Sequence, residues 1–299
     1  MALFEIINDW LILRIGFRHF LYYNNGMNNA IRWLGNAGFE IRLGTITILV
    51  DPFLSRPKPV HLLFGRPSTD RKAIVKYIQG SDAVLVTHTH FDHFMDVPSI
   101  ARQTGAQIYG SANTCILAER MGVENKQINP IKPNEPFTIE SVQVTAFPAA
   151  HPWIPCYGPG RLQQHTNFPL RLRDYRMDAC FSFLISHRDI SILVWSSTQP
   201  EQAPRADGLI CRAVSKKDWY AQILEAVQPA WILPSHWDDM FQPLGDPRRP
   251  FFAPPQGLAV IKRIGLDRFR ESIHSVNPTC IALVPEIFHP YSLENLAEV

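Results

Sequence analysis

The chain has 299 residues, of which 46% are hydrophobic and 19% are charged. This length and composition allow a full buried core, in one large domain or two smaller ones. A formal net charge of +2 excludes a general electrostatic attraction to nucleic acid.

The first 29 residues are rich in Leu, Ile, Phe and Trp. Acidic and basic residues interrupt residues 3–23, which therefore lack both the roughly 18 apolar residues of a membrane span and the pattern of a secretion signal. The spacing favours an amphipathic helix. Residues 1–29 are thus predicted to precede a single domain over residues 30–299. The helix either docks on the body or a second subunit of a homo-oligomer, or makes peripheral contact with a lipid surface through residues 3–23.

Residues 30–53 predict two strands around Gly44-Thr45, because apolar and β-branched residues alternate there. Asp51-Pro52 ends the second strand. The proline-rich residues 55–64 predict a loop, and residues 69–79 predict a helix.

The next strand leads into a concentration of imidazoles. The apolar residues 83–86 predict a short buried strand, and the sequence Thr-His-Thr-His-Phe-Asp-His follows at once over residues 87–93. Alternation puts His88 and His90 on one side of the chain, so that both can reach one ion at about 2.0–2.1 Å. Asp92 and His93 fall on the next turn and can face a second ion.

This loop resembles the HxHxDH signature of the metallo-β-lactamase superfamily. Residues 33–38 (WLGNAG) and 48–53 (ILVDPF) are similar to the opening hairpin of the branch that contains ascorbate-6-phosphate lactonase-like and N-acyl-phosphatidylethanolamine phospholipase D-like enzymes. The resemblance covers about residues 30–245. It implies an α/β (α+β) fold, a four-layer αββα sandwich in which helices flank two mixed β-sheets and the metals lie at one edge between them. In this family an acid at the position of Asp51 lies behind the metal ligands; Asp51 is either such a carboxylate, which orients a ligand, or an ordinary turn residue before proline.

The resemblance also implies distant ligands. A hairpin predicted over residues 137–147 delivers His151, which the resemblance makes the third ligand of the first ion. Residues 152–178 are predicted to be an inserted loop. Its arginines and aromatic residues are either part of a solvated basic loop or weak candidates for substrate binding, namely Arg161, Arg171, Arg173, Trp153 and Tyr157.

The clearest departure from the family follows a hairpin predicted over residues 180–195, at whose turn His187 is expected to be exposed. The family has Gly-Asp-Thr after this hairpin, and its Asp bridges the two metals. This chain has Ser196-Ser197-Thr198, and a neutral Ser197 hydroxyl is a poor zinc ligand. Asp238 and Asp239 are candidates for an acid supplied from elsewhere.

The last strand, predicted over residues 230–233, delivers His236, and a proline-rich C-terminal extension follows. The resemblance implies a first site of His88, His90 and His151, and a second of Asp92, His93 and His236. One or two Zn²⁺ ions are predicted, with Mn²⁺, Fe²⁺ or Ni²⁺ as other candidates.

The predicted function is that of a metal-dependent hydrolase. A divalent ion lowers the pKa of a bound water from 15.7 to about 7, and Asp92 is the candidate to orient or deprotonate that water. The expected partner is a small molecule, phosphorylated or lipid-like, and no nucleic acid. The alternative is a metal-binding sensor or scaffold that has lost efficient catalysis at Ser197. Five cysteines without a CxxC pair favour a cytoplasmic location.

Overall fold

Two β-sheets form the centre of the protein. The computed structural model describes residues 27–152, 159–162, 168–213, 217–252 and 263–296, so most of the predicted N-terminal segment lies outside the described residues. In the described residues, each sheet has seven strands. The first sheet has the order β14-β1-β2-β3-β4-β5-β6, and the second has the order β13-β12-β11-β10-β9-β8-β7.

The strands of the first sheet are β1 (Asn29–Gly35), β2 (Gly38–Leu43), β3 (Ile46–Val50), β4 (Ala83–Leu85), β5 (Gln107–Gly110), β6 (Ile128–Pro130) and β14 (Pro290–Ser292). Those of the second are β7 (Pro136–Ile139), β8 (Val142–Pro148), β9 (Phe181–His187), β10 (Ile190–Trp195), β11 (Gly208–Arg212), β12 (Trp231–Ser235) and β13 (Ile281–Ala282). Both sheets mix parallel and antiparallel pairs: β3, β4 and β5 run parallel, as do β10, β11 and β12.

The described helices lie along both sheets. They are α1 (Pro59–Phe64), α2 (Arg71–Tyr77), α3 (Phe91–Phe94), α4 (Val97–Thr104), α5 (Ala112–Arg120), α6 (Lys217–Val227) and α7 (Leu266–Val276). None of these helices has the length and apolarity that a membrane crossing requires.

Alternation along the central strands builds the layers. In β3, Ile48 and Val50 belong to the core between the sheets, whereas Leu49 packs into a second core with Ile74 of α2 and Ile100 of α4. Because successive side chains of a strand point to opposite faces, β3 separates the inter-sheet core from the helices. The predicted αββα sandwich is confirmed.

Two local predictions were wrong. Residues 55–64 were expected to be a loop throughout, but Pro59 begins α1, where the fixed φ of proline suits the first turn. His187 was expected to be exposed, but only 6% of its surface is accessible. A Cβ added to Gly44 would lie 3.7 Å from the His187 Cε1 atom, so the ring packs beside the β2–β3 turn of the other sheet.

Candidate metal centre

The ends of strands from both sheets converge at one edge of the sandwich. Asp51 directly follows β3, and the loop of residues 87–93 follows β4. In the second sheet, β8 leads to His151 and β12 leads to His236. Because the polar residues come just after buried strands, their side chains can gather without interrupting the sheet hydrogen bonds.

The first group consists of His88, His90 and His151. One potential ligand atom from each lies within 4.8 Å of the others. The His88 Nε2 and His90 Nδ1 atoms are 3.1 Å apart, and the His151 ring lies 4.6 Å from that of His88 and 5.0 Å from that of His90. The His151 Nδ1 atom lies 2.7 Å from the Pro152 carbonyl oxygen, which leaves Nε2 free to face an ion.

Burial keeps these imidazoles in the form that binds metal. Desolvation, reinforced by neighbouring histidines, lowers the pKa of His88 well below its ordinary value. Burial likewise lowers the pKa of His90 to about 3 and that of His151 to about 4. Since a metal ligand must be a neutral imidazole, the metal-free site is prepared for a cation at neutral pH.

The second group consists of Asp92, His93 and His236, again with one ligand atom each within 4.8 Å. The Asp92 Oδ2 atom lies 3.0 Å from His236 Nε2 and 3.6 Å from His93 Nε2. The His93 and His88 rings are 3.9 Å apart between centroids, so the two groups are adjacent.

Opposite charges shift the pKa values of this group. Burial alone would raise the pKa of Asp92, but His93 and His236 hold it below its ordinary value. Burial would lower the pKa of His93, but the carboxylates of Asp92 and Asp51 raise it overall. The metal-free group therefore carries an ionised carboxylate close to imidazole nitrogens, a donor set that attracts a cation.

Asp51 lies behind His93. The His93 Nδ1 atom is 2.7 Å from Asp51 Oδ2, and the Thr87 backbone N–H donates to Asp51 Oδ1 over 2.8 Å. The Thr87 hydroxyl donates to Asp51 and lies 2.9 Å from His88 Nδ1. A carboxylate that accepts from Nδ1 orients Nε2 toward the ion. Of the two interpretations of Asp51, the geometry favours the carboxylate behind a ligand. Its φ of 43° also departs from ordinary strand backbone.

Asn36 joins the second group to the rest of the fold, and the sequence analysis missed it. Its side-chain amide nitrogen donates to Asp92 Oδ2 over 3.1 Å, and its backbone carbonyl oxygen accepts from the His236 backbone N–H over 2.9 Å. Its own N–H donates to Asp238 Oδ1 over 2.7 Å. The signal was the polar residue within Gly35-Asn36-Ala37-Gly38, a turn that requires the positive φ of 51° that Asn tolerates.

The proposed substitute acids are engaged elsewhere. The Asp238 carboxylate faces Arg56 at 3.5 Å and Arg248 at 3.7 Å, and Asp239 pairs with Arg249 at 2.8 Å. In the described residues, the two metal-binding groups share no member, and neither includes Asp238 or Asp239.

Ser197 uses its hydroxyl oxygen to hold the chain beside His151. The buried Oγ atom accepts from the Ala150 N–H and from the Gln199 N–H, each over 3.2 Å. The neighbouring Thr198 N–H donates to the Ala150 carbonyl over 2.9 Å. Ser197 therefore fixes the residue that precedes a ligand of the first group.

Three of the five candidates for substrate binding belong to the described residues. Arg161, Arg171 and Arg173 are exposed, and the described residues show no hydrogen bond or ion pair between them and the six ligand residues. Trp153 and Tyr157 lie outside the described residues. All five remain predictions.

The donor set fits a transition-metal ion better than Mg²⁺ or Ca²⁺. Five imidazoles and one carboxylate suit Zn²⁺, and imidazole also suits Fe²⁺ and Ni²⁺, whereas Mg²⁺ and Ca²⁺ prefer oxygen ligands. Three protein ligands in each group leave a coordination position for water or substrate.

Comparisons with known proteins agree with this fold. Residues 47–182 match the family model described as "Beta-lactamase superfamily domain". A UPF0173 metal-dependent hydrolase of Methanopyrus kandleri is 33% identical over 121 residues, which cover 40% of this chain and 46% of the relative. The aligned part thus spans less than half the length of that relative.

Solved structures match over a larger share of the chain. Igni18, a metallo hydrolase of Ignicoccus hospitalis, aligns with a TM-score of 0.58 and 14% identity over 88% of this chain and 97% of that one. The metallo-β-lactamase fold protein YhfI of Bacillus subtilis aligns with a TM-score of 0.53 and 13% identity over 88% and 99%. At these identities the structural likeness shows the fold alone. The chain is thus similar to β-lactamase superfamily proteins in sequence over residues 47–182 and in fold over most of its length.

Proposed function

We propose that this protein is a member of the metallo-β-lactamase superfamily and a metal-dependent hydrolase. The observation that carries the proposal is the convergence of His88, His90 and His151 beside Asp92, His93 and His236, each set having its potential ligand atoms within 4.8 Å. Three donors per ion with an open position are typical of catalytic rather than structural zinc sites.

Ions bound there would supply Lewis acidity and a water of lowered pKa. His88, His90 and His151 would hold the first ion, and Asp92, His93 and His236 the second. The described hydrogen bonds of the Asp92 carboxylate all involve Oδ2. We propose that Oδ1 accepts a proton from the attacking water, or orients it, while Oδ2 keeps its bond to the Asn36 amide.

The proposed substrate is a small molecule with an ester, lactone or phosphodiester group, phosphorylated or lipid-like. The resemblance to the lactonase-like and phospholipase D-like branch supports this class. The exposed Arg161, Arg171 and Arg173 support it further, because guanidinium groups bind phosphate and carboxylate through paired N–H donors. A cytoplasmic location is part of the same proposal.

Ser197 favours a second candidate function, that of a metal-binding sensor or scaffold with reduced catalysis. Two nearby divalent cations repel each other, and an anionic bridge would relieve that repulsion. The Ser197 hydroxyl is neutral, and its oxygen accepts hydrogen bonds from the Ala150 and Gln199 N–H groups. This arrangement is compatible with one tightly held ion, or with two ions of unequal affinity.

Metal analysis combined with an assay panel tests the proposal. Protein purified without added metal should contain Zn²⁺ or another transition-metal ion and should hydrolyse at least one generic ester, lactone or phosphodiester. His90→Ala should abolish both metal retention and turnover, whereas His61→Ala, at an exposed histidine of α1, should leave both unchanged. Metal retention without turnover on any of the three bond types would favour the sensor, and activity in metal-free His90→Ala protein would refute the hydrolase.

A further inference from the structure

Helix α1 presents three large apolar side chains to solvent. Val60, Leu63 and Phe64 are 55%, 60% and 85% exposed, whereas Leu62 is buried in the core beneath the helices. Residues spaced by three and four positions share one face of a helix. Leu62 thus anchors α1 to the body, and the opposite face carries apolar surface of the kind that marks an interaction site.

Basic residues flank α1 in the chain. Residues 56–76 contain six Lys or Arg residues and one acidic residue. The segment therefore has a formal net charge of +5, whereas the whole chain has a formal net charge of +2. Five of the basic residues are exposed: Lys58 precedes α1, Arg66 follows it, and Arg71, Lys72 and Lys76 belong to α2. The segment that carries the exposed apolar side chains is therefore also strongly basic.

We propose that α1 and its flanking basic residues form a docking surface for anionic lipid bilayers. Apolar side chains of a short amphipathic helix insert at the boundary between headgroups and acyl chains, and lysine and arginine around them bind anionic headgroups. In the remainder of this subsection, the lipid surface means Val60, Leu63, Phe64 and the five exposed basic residues named above.

Charge disfavours the other occupants of this surface. In a two-fold dimer the same patch faces itself, so the five exposed basic residues of each copy, opposed within the segment only by Asp70, would meet and repel. Residues 1–26 contain two acidic and two basic residues, which gives them no complementary charge. An anionic bilayer satisfies both features at once, because it accepts apolar side chains and attracts cations. The inference does not depend on the proposed hydrolase function.

Vesicle sedimentation tests the lipid surface with the full chain. We expect the protein to bind vesicles of phosphatidylcholine and phosphatidylserine, to bind pure phosphatidylcholine vesicles much more weakly, and to dissociate as salt is raised. Leu63→Ser combined with Phe64→Ser should weaken binding at least tenfold, because burial of both side chains is lost. Lys72→Ala should weaken it about fivefold.

Matched control variants test whether vesicle binding depends on this surface rather than on exposed residues elsewhere. Phe252→Ala removes a phenylalanine that is 48% exposed elsewhere, and Lys132→Ala removes an exposed lysine outside the segment; both should bind vesicles like the parent chain. Unchanged far-ultraviolet circular dichroism and an unchanged unfolding midpoint establish that the double serine variant is folded.

Three results would overturn the inference. The parent chain could fail to bind the phosphatidylserine vesicles. Alternatively, the folded double serine variant could bind them as tightly as the parent, which would show that another part of the chain, such as residues 3–23, contacts the membrane. Sedimentation velocity without lipid could also show a dimer that the double serine variant loses, which would make the surface an interface between copies.

Discussion

The His93 Nδ1 atom lies 2.7 Å from Asp51 Oδ2, and this pair connects the end of β3 to the second metal-binding group. The same carboxylate accepts a hydrogen bond from the Thr87 N–H over 2.8 Å, so the loop that follows the neighbouring strand β4 also holds it in place. As an acceptor for Nδ1–H, Asp51 leaves Nε2 of His93 unprotonated and available to an ion.

Asp51→Asn should weaken the second ion site selectively. The amide has the same shape, but when its nitrogen faces His93 it donates to Nδ1, which moves the ring proton to Nε2 and blocks the ligand atom. We expect the second ion to bind about 10–100-fold more weakly, with the first ion retained. Calorimetric metal titration of stripped protein measures both sites.

Asp70→Asn is the control for the Asp51 substitution, because Asp70 caps the exposed start of α2 through its bond to the Ala73 N–H. It should leave both metal affinities unchanged. If Asp51→Asn bound both ions as the parent does, Asp51 would have no orienting role.

Asn36 should act as a positioning residue for the same ion. Its amide and its backbone hold Asp92 and His236, which are 144 residues apart in the chain. Asn36→Gly keeps the positive φ of this turn accessible and removes only the side chain. We expect weaker binding of the second ion, within the same range of 10–100-fold, and a loss of about 1 kcal/mol in the free energy of unfolding.

Asn134→Gly provides a matched comparison for Asn36→Gly. Asn134 also has a positive φ, of 62°, but it is exposed in the turn before β7. It should alter neither metal affinity. Equal effects of the two substitutions on metal binding would show that the Asn36 amide has no specific role.

Local sequence patterns predicted the parts of the fold and site that are close in the chain. Alternation located β3, a short apolar run located β4, and the HxHxDH loop contains four of the six candidate ligands within six residues. His151 and His236 came from family resemblance, because a single histidine after a strand has no pattern of its own.

Contacts between distant residues could not be predicted in the same way. Strand β14 pairs with β1, joining Ser292 to Ala30, although residues 290–292 carry no strong strand signal. Asn36 gained its role from Asp92 and His236, which no local pattern connects to it. His187 was misjudged because a turn residue is usually exposed, whereas this one packs beside the β2–β3 turn.

Gly208→Ala should destabilise the second sheet. Gly208 is paired with Trp231 across β11 and β12, and an added Cβ would lie 1.9 Å from an indole carbon atom of Trp231. Since the indole is buried and rigid, we expect a loss of about 1–3 kcal/mol in the free energy of unfolding, measured by urea denaturation. Gly80→Ala, where an added Cβ meets nothing within 4 Å, should change it by less than about 0.5 kcal/mol. Similar losses in both variants would contradict this packing.

The metal-free protein should lose stability as pH falls below about 6.5. Burial lowers the folded-state pKa of His90 to about 3 and that of His151 to about 4, so between these values and 6.5 the unfolded chain binds more protons. The stabilisation is therefore complete above the unfolded pKa and is lost as pH falls through the folded values. The raised pKa of His93 acts in a different range: its stabilisation is complete below pH 6.5 and is lost as pH rises through the folded value, so it leaves the slope below 6.5 unchanged.

Unfolding midpoints measured with a chelator across this pH range test the expected slope. His90→Gln should flatten the slope, because one buried neutral imidazole is removed, and His61→Ala should keep it. A parent protein equally stable at pH 4.5 and 7 would contradict the expected neutral state of these histidines.

Ser197→Asp distinguishes a working serine arrangement from a decayed site. The introduced carboxylate would stand beside two adjacent cation sites, where a negative charge relieves their repulsion. We expect the second ion to bind at least tenfold more tightly, since charge-assisted contacts are the strong ones. Turnover should stay within several-fold of the parent, because Asp92, His93 and His236 already supply the donors of that site.

Ser197→Asn, which has the shape of Asp without its charge, should not gain metal affinity. A large gain in turnover together with a second ion in Ser197→Asp would instead favour the sensor or scaffold, because the parent chain would then be limited by the missing acid.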